Sequence, residues 1–174
     1  RGQTRQALSL LSPRIFSPAL DTMALCLTSK TRTQQWGTPP ALLSILDAQY
    51  RFSHHPDGSI IDVCPIDWDP DTHANGLEID WPPSTYCNPP YTGVCDWVRK
   101  ASIEARKGCK VVMLLNAATD SAWYHEYCYN QPGVEVRFLR GRVPFVDPEN
   151  PRYRVANPSP SMLVIFRPLP QQLP

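Results

Sequence analysis

Proline is the residue that most limits what this chain can fold into. Twenty of the 174 residues are proline, about twice the usual share in globular proteins. Because proline lacks a backbone N–H and breaks helix interiors, a bundle of long helices is excluded. Hydrophobic residues nevertheless make up 42% of the sequence. That is enough apolar surface for the core of one domain, so disorder throughout the chain is excluded as well.

Hydrophobic spacing predicts alternating strands and helices after residue 35. A continuous apolar run at residues 110–115 is typical of a strand buried on both faces. Leucines and Tyr50 recur at helical spacing behind a proline pair, which a first helical turn tolerates. The predicted strands cover residues 59–64, 85–87, 110–115, 134–139 and 162–166, and the predicted helices cover residues 40–51, 94–108 and 120–129. This order predicts an α/β domain with a parallel or mixed sheet and helices packed on it.

Charge is distributed unevenly along the chain, although the net charge is only +1. Residues 1–35 carry +4, residues 36–98 carry −8 and residues 99–174 carry +5. An acidic half and a basic half predict two ligands of different charge, and two solvated faces are the alternative.

No stretch approaches the roughly 18–20 apolar residues of a membrane helix, so no membrane partner is expected.

The six cysteines are scattered singly and none forms a C-x-x-C pair. A structural zinc site is therefore not predicted, and no metal is expected. Single cysteines without a signal peptide fit buried thiols in a reducing compartment. Residues 1–34 are rich in Ser, Thr and Arg. We interpret them as a flexible N-terminal extension ahead of a domain at residues 35–170, although this composition is also typical of a transit peptide.

The strongest chemical signal is the tetrapeptide Asn88-Pro89-Pro90-Tyr91, which follows a predicted strand and precedes a predicted helix. Ligands bind at that position in open α/β sheets. The two prolines stiffen the turn and remove two donors, which leaves carbonyl acceptors, and Asn88 adds an amide oxygen. Two converging acceptors can hold both hydrogens of an exocyclic amine and direct its lone pair towards an electrophile. Tyr91 offers a flat face for a planar base, and a stiff surface turn is the alternative.

This tetrapeptide resembles the motif of amino-group methyltransferases that use S-adenosylmethionine. Other short motifs surround it in a fixed order. They are Gln35–Pro40, Ile61–Cys64, Gly76-Leu77 with Trp81, Thr119–His125, Arg137–Arg142 and Pro160–Met162. The succession is similar to the phage-type DNA N6-adenine methyltransferase family, often called Dam, over residues 35–168.

The resemblance implies a Rossmann-like methyltransferase fold with a mixed, mostly parallel sheet and flanking helices. It also implies S-adenosylmethionine as methyl donor and adenine in DNA as acceptor. Asn88, Pro89 and Tyr91 would hold the target adenine, with Pro90 stiffening the turn. The expected location is the cytoplasm of a bacterium or a phage-infected cell, or the nucleus or an organelle in a eukaryote.

The resemblance further implies where the methyl donor binds. Thr38 and Pro39 match the segment that contacts the methionine part of the donor, and Asp62 matches the donor-site carboxylate. Trp36 could lie against the sulfonium, since cations favour indole faces, and a core position is the alternative. Asp80 could accept a hydrogen bond from the donor's own adenine amine.

One feature of the methyltransferase pattern is missing. Cys64 and Pro65 stand where a glycine-rich loop usually follows the first strand, so Cys64 becomes a candidate donor contact. Methyltransferases of protein glutamine would be expected to show that loop. The open alternatives are therefore another amine acceptor (an RNA base, cytosine N4 or protein glutamine) or a catalytically inactive domain that binds nucleic acid.

A basic stretch with interleaved aromatic residues follows in the second half of the chain. Arg137, Arg140 and Arg142 are the candidate DNA-binding residues, with Phe138 among them. Such a pattern suits contacts to phosphates and base edges, and arginines solvated on strand edges are the alternative. Our interpretation is a single domain that methylates N6 of an adenine flipped out of the duplex.

Overall fold

The computed structural model describes residues 36–63, 75–147, 152 and 154–169. Its helices are α1 (Pro40–Tyr50), α2 (Val94–Arg106) and α3 (Ala122–Tyr127). Its strands are β1 (Ser84–Cys87), β2 (Lys110–Asn116), β3 (Val134–Phe138), β4 (Pro144–Val146), β5 (Arg154–Ala156) and β6 (Ser161–Phe166). The predicted extension at residues 1–34 and Cys64 lie outside the described residues.

Strand β2 is the centre of the fold. Its apolar residues from Val111 to Leu115 are all buried, as the continuous apolar run predicts. Met113 belongs to a hydrophobic cluster on one face of the sheet, whereas Val112 and Leu114 belong to a second cluster on the other face. Helices α2 and α3 cover the first face, and α1 covers the second.

The α/β class is confirmed, but the expectation of a mostly parallel sheet is wrong. The strand order is β1-β2-β6-β3, and β4 and β5 form a separate two-stranded sheet. β1 and β2 are parallel, whereas β6 is antiparallel to both of its neighbours. β1, β2 and β3 thus run in one direction with β6 inserted between two of them. Apolar runs alone do not encode strand direction, which depends on the connections between strands.

Two predicted elements are shorter than expected. The strand predicted at 59–64 is reduced to single bridges at Ile60 and Asp62. The Asp57 side chain accepts hydrogen bonds from the backbone and the hydroxyl of Ser59, which holds a local turn there. Helix α3 begins at Ala122, two residues after the predicted start at residue 120, and ends at Tyr127. None of the helices in the described part of the chain has the length and apolar character of a membrane crossing.

A buried carboxylate joins α2 to the segment that leads into β1. Glu104 is 1% exposed and accepts hydrogen bonds from Lys100 Nζ at 2.7 Å and Lys107 Nζ at 2.9 Å. Its other oxygen accepts from the backbone N–H of Trp81 at 3.3 Å. Burial acts to raise the pKa of Glu104, but these hydrogen bonds outweigh it and the pKa lies below its usual value.

We expect Glu104→Gln to lower the free energy of unfolding by about 1–3 kcal/mol at pH 7, because the two ammonium groups lose their charged partner. The measurement is urea denaturation. A depressed pKa contributes stability above the unfolded value of 4.5 and loses it as the pH falls through the folded value. The difference from wild type is therefore expected to shrink as the pH falls below 4.5. Asp80→Asn, on an exposed carboxylate, is the control, and an equal loss there would contradict the account.

Candidate active site

One edge of the sheet carries the residues with chemical potential. Asn116 at the end of β2 lies opposite Ser161 at the start of β6, and Phe138 at the end of β3 pairs with Met162. β1 is parallel to β2, so Asn88, which follows β1, lies on the same side. The connecting segments that meet at this edge are residues 88–93, 117–121, 139–143 and 157–160.

The Asn88 side chain is held in a defined orientation. Its Nδ2 donates a hydrogen bond to the backbone oxygen of Trp36 at 2.8 Å. With the amide nitrogen directed at Trp36, the Oδ1 oxygen is the atom that remains for accepting hydrogen bonds. Pro89 is buried and Pro90 half-buried, and neither has an N–H to donate. The turn therefore combines an oriented amide acceptor with carbonyl acceptors.

Tyr91 presents a partly open ring beside this turn. It is 39% exposed, and it meets Phe145 of β4 edge to face with ring centroids 6.5 Å apart. Burial of part of the ring raises the pKa of its hydroxyl, so Tyr91 stays neutral. Phe145 of β4 thus supports the Tyr91 ring, while 39% of the residue remains exposed and can receive a planar group.

Residues 36–38 run alongside the turn and are tied to the rest of the domain. Gly37 and Val146 exchange two backbone hydrogen bonds of 2.8 and 2.9 Å, which joins the segment to β4. The Thr38 hydroxyl is 2.6 Å from the hydroxyl of Tyr86 on β1. Together with the bond from Asn88, these contacts fix the predicted donor segment beside the predicted acceptor turn.

Asp62 belongs to the same group. It forms a parallel bridge with Tyr86, so it lies next to β1 on the side away from β2. Trp36 is partly buried and packs against the second hydrophobic cluster, on the face of the sheet that α1 covers. Pro39 is buried at the start of α1. The structure therefore brings Trp36, Thr38, Pro39 and Asp62 together around the end of β1.

Asp80 is not brought to this group. It precedes β1, and its side chain pairs with Lys107 at 2.7 Å beyond the end of α2. From Asp80 the chain leads to Ser84, the first residue of β1, which lies opposite Lys110, the first residue of β2. Asp80 thus lies at the end of the sheet where β1 and β2 begin, whereas Asn88 lies where β1 ends.

The predicted DNA-binding arginines fall into two environments. Arg137 lies over the ring of Tyr50 at 6.0 Å and donates to Glu135 at 2.5 Å, so its charge already has an internal partner. Arg140 and Arg142 are exposed in the loop from β3 to β4. That loop leads into β4, whose Phe145 contacts Tyr91.

Sequence reasoning missed two polar residues of this region. Tyr86 is 1% exposed, and its partner Thr38 is 48 residues away, so no local pattern pointed to it. Asn157 is 4% exposed, and its amide donates to Asn116 Oδ1 at 2.7 Å and to Ser161 Oγ at 3.1 Å. The only sequence signal for Asn157 was a polar residue among prolines just ahead of an apolar strand.

Within the described ranges, no group of three or more His, Cys, Asp or Glu side chains is arranged to hold a metal ion.

Comparison with known proteins places the chain in a family. A family model described as DNA N-6-adenine-methyltransferase (Dam) matches residues 26–173. The chain is 34% identical over 86 residues to a DNA N-6-adenine-methyltransferase of Haemophilus phage HP1 (strain HP1c1), a match that covers 48% of this chain and 49% of that protein. The match thus spans about half the length of that curated relative. No solved structure matches the chain. Because the family model covers most of the sequence, including the Asn-Pro-Pro-Tyr turn and every described strand, the chain belongs to the DNA N-6-adenine-methyltransferase (Dam) family.

Proposed function

We propose that residues 35–170 form an S-adenosylmethionine-dependent methyltransferase that modifies N6 of adenine in DNA. The observation that carries this proposal is the hydrogen bond from Asn88 Nδ2 to Trp36, which leaves Oδ1 as an oriented acceptor beside residues 36–38. Membership of the Dam family and the phage relative support DNA as substrate and adenine as target base.

The architecture supports a Rossmann-like methyltransferase fold. β1, β2 and β3 run in the same direction, and the candidate residues other than Asp80 and Arg137 lie towards their carboxyl ends. Open α/β sheets bind their ligands at that end. The antiparallel β6 is compatible with this arrangement. It lies between β2 and β3, and the carboxyl ends of those two strands still point to the same end of the sheet.

The residues around the end of β1 fit the chemistry of S-adenosylmethionine. Asp62 would supply a carboxylate for the donor's polar groups, Thr38 a hydroxyl and Trp36 an indole face for the sulfonium, with Pro39 stiffening the segment. When bound, S-adenosylmethionine supplies an electrophilic methyl group on a sulfonium. The chain's own contribution is to hold the donor segment against β1 and close to Asn88.

The acceptor turn would orient the amine of the target base. Asn88 Oδ1 and the carbonyl oxygen of Pro89 would accept the two N6 hydrogens, which directs the nitrogen lone pair out of conjugation with the purine ring. Tyr91 would stack on the base, and Phe145 supports its ring. The acceleration then comes mainly from proximity and alignment of neutral groups.

Access to the turn requires the adenine to leave the duplex, because a stacked base cannot reach it. Arg140 and Arg142 lie on the loop that leads to β4, and the adjacent Phe138 is 63% exposed. Two cations and an aromatic ring at the same sheet edge as the turn suit phosphate contacts beside an extruded base.

The proposal as a whole is tested by incubating the protein with tritiated S-adenosylmethionine and, separately, unmethylated DNA, RNA and protein. We expect tritium in DNA, released as N6-methyl-2′-deoxyadenosine on digestion to nucleosides. Label in N4-methylcytosine, RNA or protein glutamine would assign another acceptor. Binding of DNA with no transfer to any substrate would identify an inactive binding domain.

We expect Asn88→Ala to lower turnover by at least a hundredfold, because the variant lacks the oriented acceptor. The dissociation constant of S-adenosylmethionine is expected to change little. Asn88→Asp is expected to be milder, since a carboxylate oxygen still accepts. Single-turnover kinetics and calorimetric titration give the two quantities. Retention of more than half of the wild-type rate by Asn88→Ala would contradict the role.

Tyr91→Phe keeps the stacking face and is expected to retain most activity. Tyr91→Ala is expected to lower kcat/KM on DNA by about ten- to a hundredfold, since stacking of a base on an aromatic ring is worth roughly 1–3 kcal/mol. Tyr129→Ala is the matched control, because Tyr129 is exposed on another part of the surface. Equal losses in the Phe and Ala variants would show that the hydroxyl matters and not the ring.

Replacing Arg140 and Arg142 together by Ala is expected to weaken DNA binding and to reduce the slope of log K against log salt by about two units, one for each lost phosphate contact. Fluorescence anisotropy at several salt concentrations measures this slope. The control is the Arg51→Ala, Arg106→Ala double variant, which removes the same charge near the opposite edge of the sheet. Equal slopes for both double variants would contradict the proposed contact surface.

A further inference from the structure

Tyr86 is the one buried hydroxyl on β1 that reaches the predicted donor segment. Its side chain is 1% exposed and sits among apolar residues of the second hydrophobic cluster. Its hydroxyl lies 2.6 Å from Thr38 Oγ1, a short hydrogen bond across 48 residues of sequence. A buried hydroxyl that lacks a partner costs about 1–3 kcal/mol, so this pairing strongly favours one position of Thr38 relative to β1.

Tyr86 also remains a neutral hydroxyl throughout the working range of pH. Burial raises its pKa far above the usual value, the hydrogen bond to Thr38 only partly opposes this, and the nearby charge of Asp62 raises it further. The hydroxyl therefore keeps its proton. When it donates that proton to Thr38, the hydroxyl hydrogen of Thr38 is available for another acceptor.

Three contacts fix residues 36–38, and each leads to a different part of the site. The backbone oxygen of Trp36 accepts a hydrogen bond from Asn88 Nδ2, Gly37 pairs with β4, and the Thr38 hydroxyl is hydrogen-bonded to that of Tyr86. Only the contact between Thr38 and Tyr86 joins a residue assigned to the donor to a partner that lies outside both the acceptor turn and β4. Loss of the Tyr86 hydroxyl would thus release the Thr38 end and leave the Asn88 end in place.

We propose that Tyr86 is a positioning residue for the methyl donor, because its buried hydroxyl holds Thr38 in the orientation that contacts the donor. This inference rests on the proposed function, which assigns Thr38 to S-adenosylmethionine. It concerns donor affinity and not the acceptor chemistry, so Tyr86 and Asn88 are expected to affect different kinetic constants.

The test is calorimetric binding of S-adenosylmethionine to the full chain, combined with steady-state kinetics. Tyr86→Phe removes only the hydroxyl and is expected to raise the dissociation constant of the donor about five- to tenfold. Its kcat at saturating donor and its KM for DNA are expected to stay within about twofold of wild type. A merely structural role would instead lower the active fraction and leave the donor constant unchanged.

Tyr50→Phe is a closely matched control. Tyr50 lies in the same hydrophobic cluster, and its buried hydroxyl has no hydrogen-bond partner within the described residues. Its removal is expected to leave donor affinity unchanged. Thr38→Ser, which retains the hydroxyl, is expected to bind the donor nearly as wild type does, whereas Thr38→Val is expected to lose at least as much affinity as Tyr86→Phe.

The double variant Tyr86→Phe, Thr38→Val is expected to bind no more weakly than Thr38→Val, because both changes break one interaction. Additive losses, or a Tyr86→Phe dissociation constant equal to that of wild type, would overturn the inference while wild-type methylation still stands. A wild-type protein that binds no S-adenosylmethionine would overturn the proposed function and this inference together. Thermal unfolding of each variant verifies that the compared proteins are folded.

Discussion

Burial of β2 on both faces is the constraint on which the rest of the structure depends. A strand without a solvent face must be covered by helices on each side and paired on both edges, and β1 and β6 supply that pairing. The parallel pairing brings the turn after β1 to the side where β2 ends. The antiparallel pairing brings the start of β6 to that same side, with the end of β3 beside it. The burial of a few apolar residues thus determines where the polar residues collect.

Hydrogen bonds between segments distant in sequence convert that edge into a defined site. The bond from Asn88 to the Trp36 carbonyl orients an amide that would otherwise rotate freely. The paired bonds between Gly37 and Val146 extend the arrangement to β4, whose Phe145 supports the ring of Tyr91. Residues 36–38, the turn at residues 88–91 and β4 therefore form one connected unit. Such preorganisation suits a reaction that depends on alignment and not on a charged base.

The sequence predicts well what local pattern determines and less well what distant contacts determine. The buried strand β2 and the Asn88–Tyr91 turn were predictable, because apolar runs and prolines restrict the chain within a few residues. The direction of β6 and the hydrogen bond between Tyr86 and Thr38 were not, since both depend on contacts with residues far away in sequence. Asp80 shows the same limit, because its pairing with Lys107 at the other end of β1 could not be read from its neighbours.

The proposed chemistry requires Asn88 to hold the target amine beside residues 36–38. The most direct measurement is a crystal structure of the protein with S-adenosylhomocysteine, the unreactive product of the donor, and a short adenine-containing DNA duplex. We expect an extruded adenine whose N6 lies about 2.7–3.2 Å from Asn88 Oδ1, with the homocysteine part beside Thr38. An adenine that remains stacked in the duplex, or one bound away from Asn88, would contradict it.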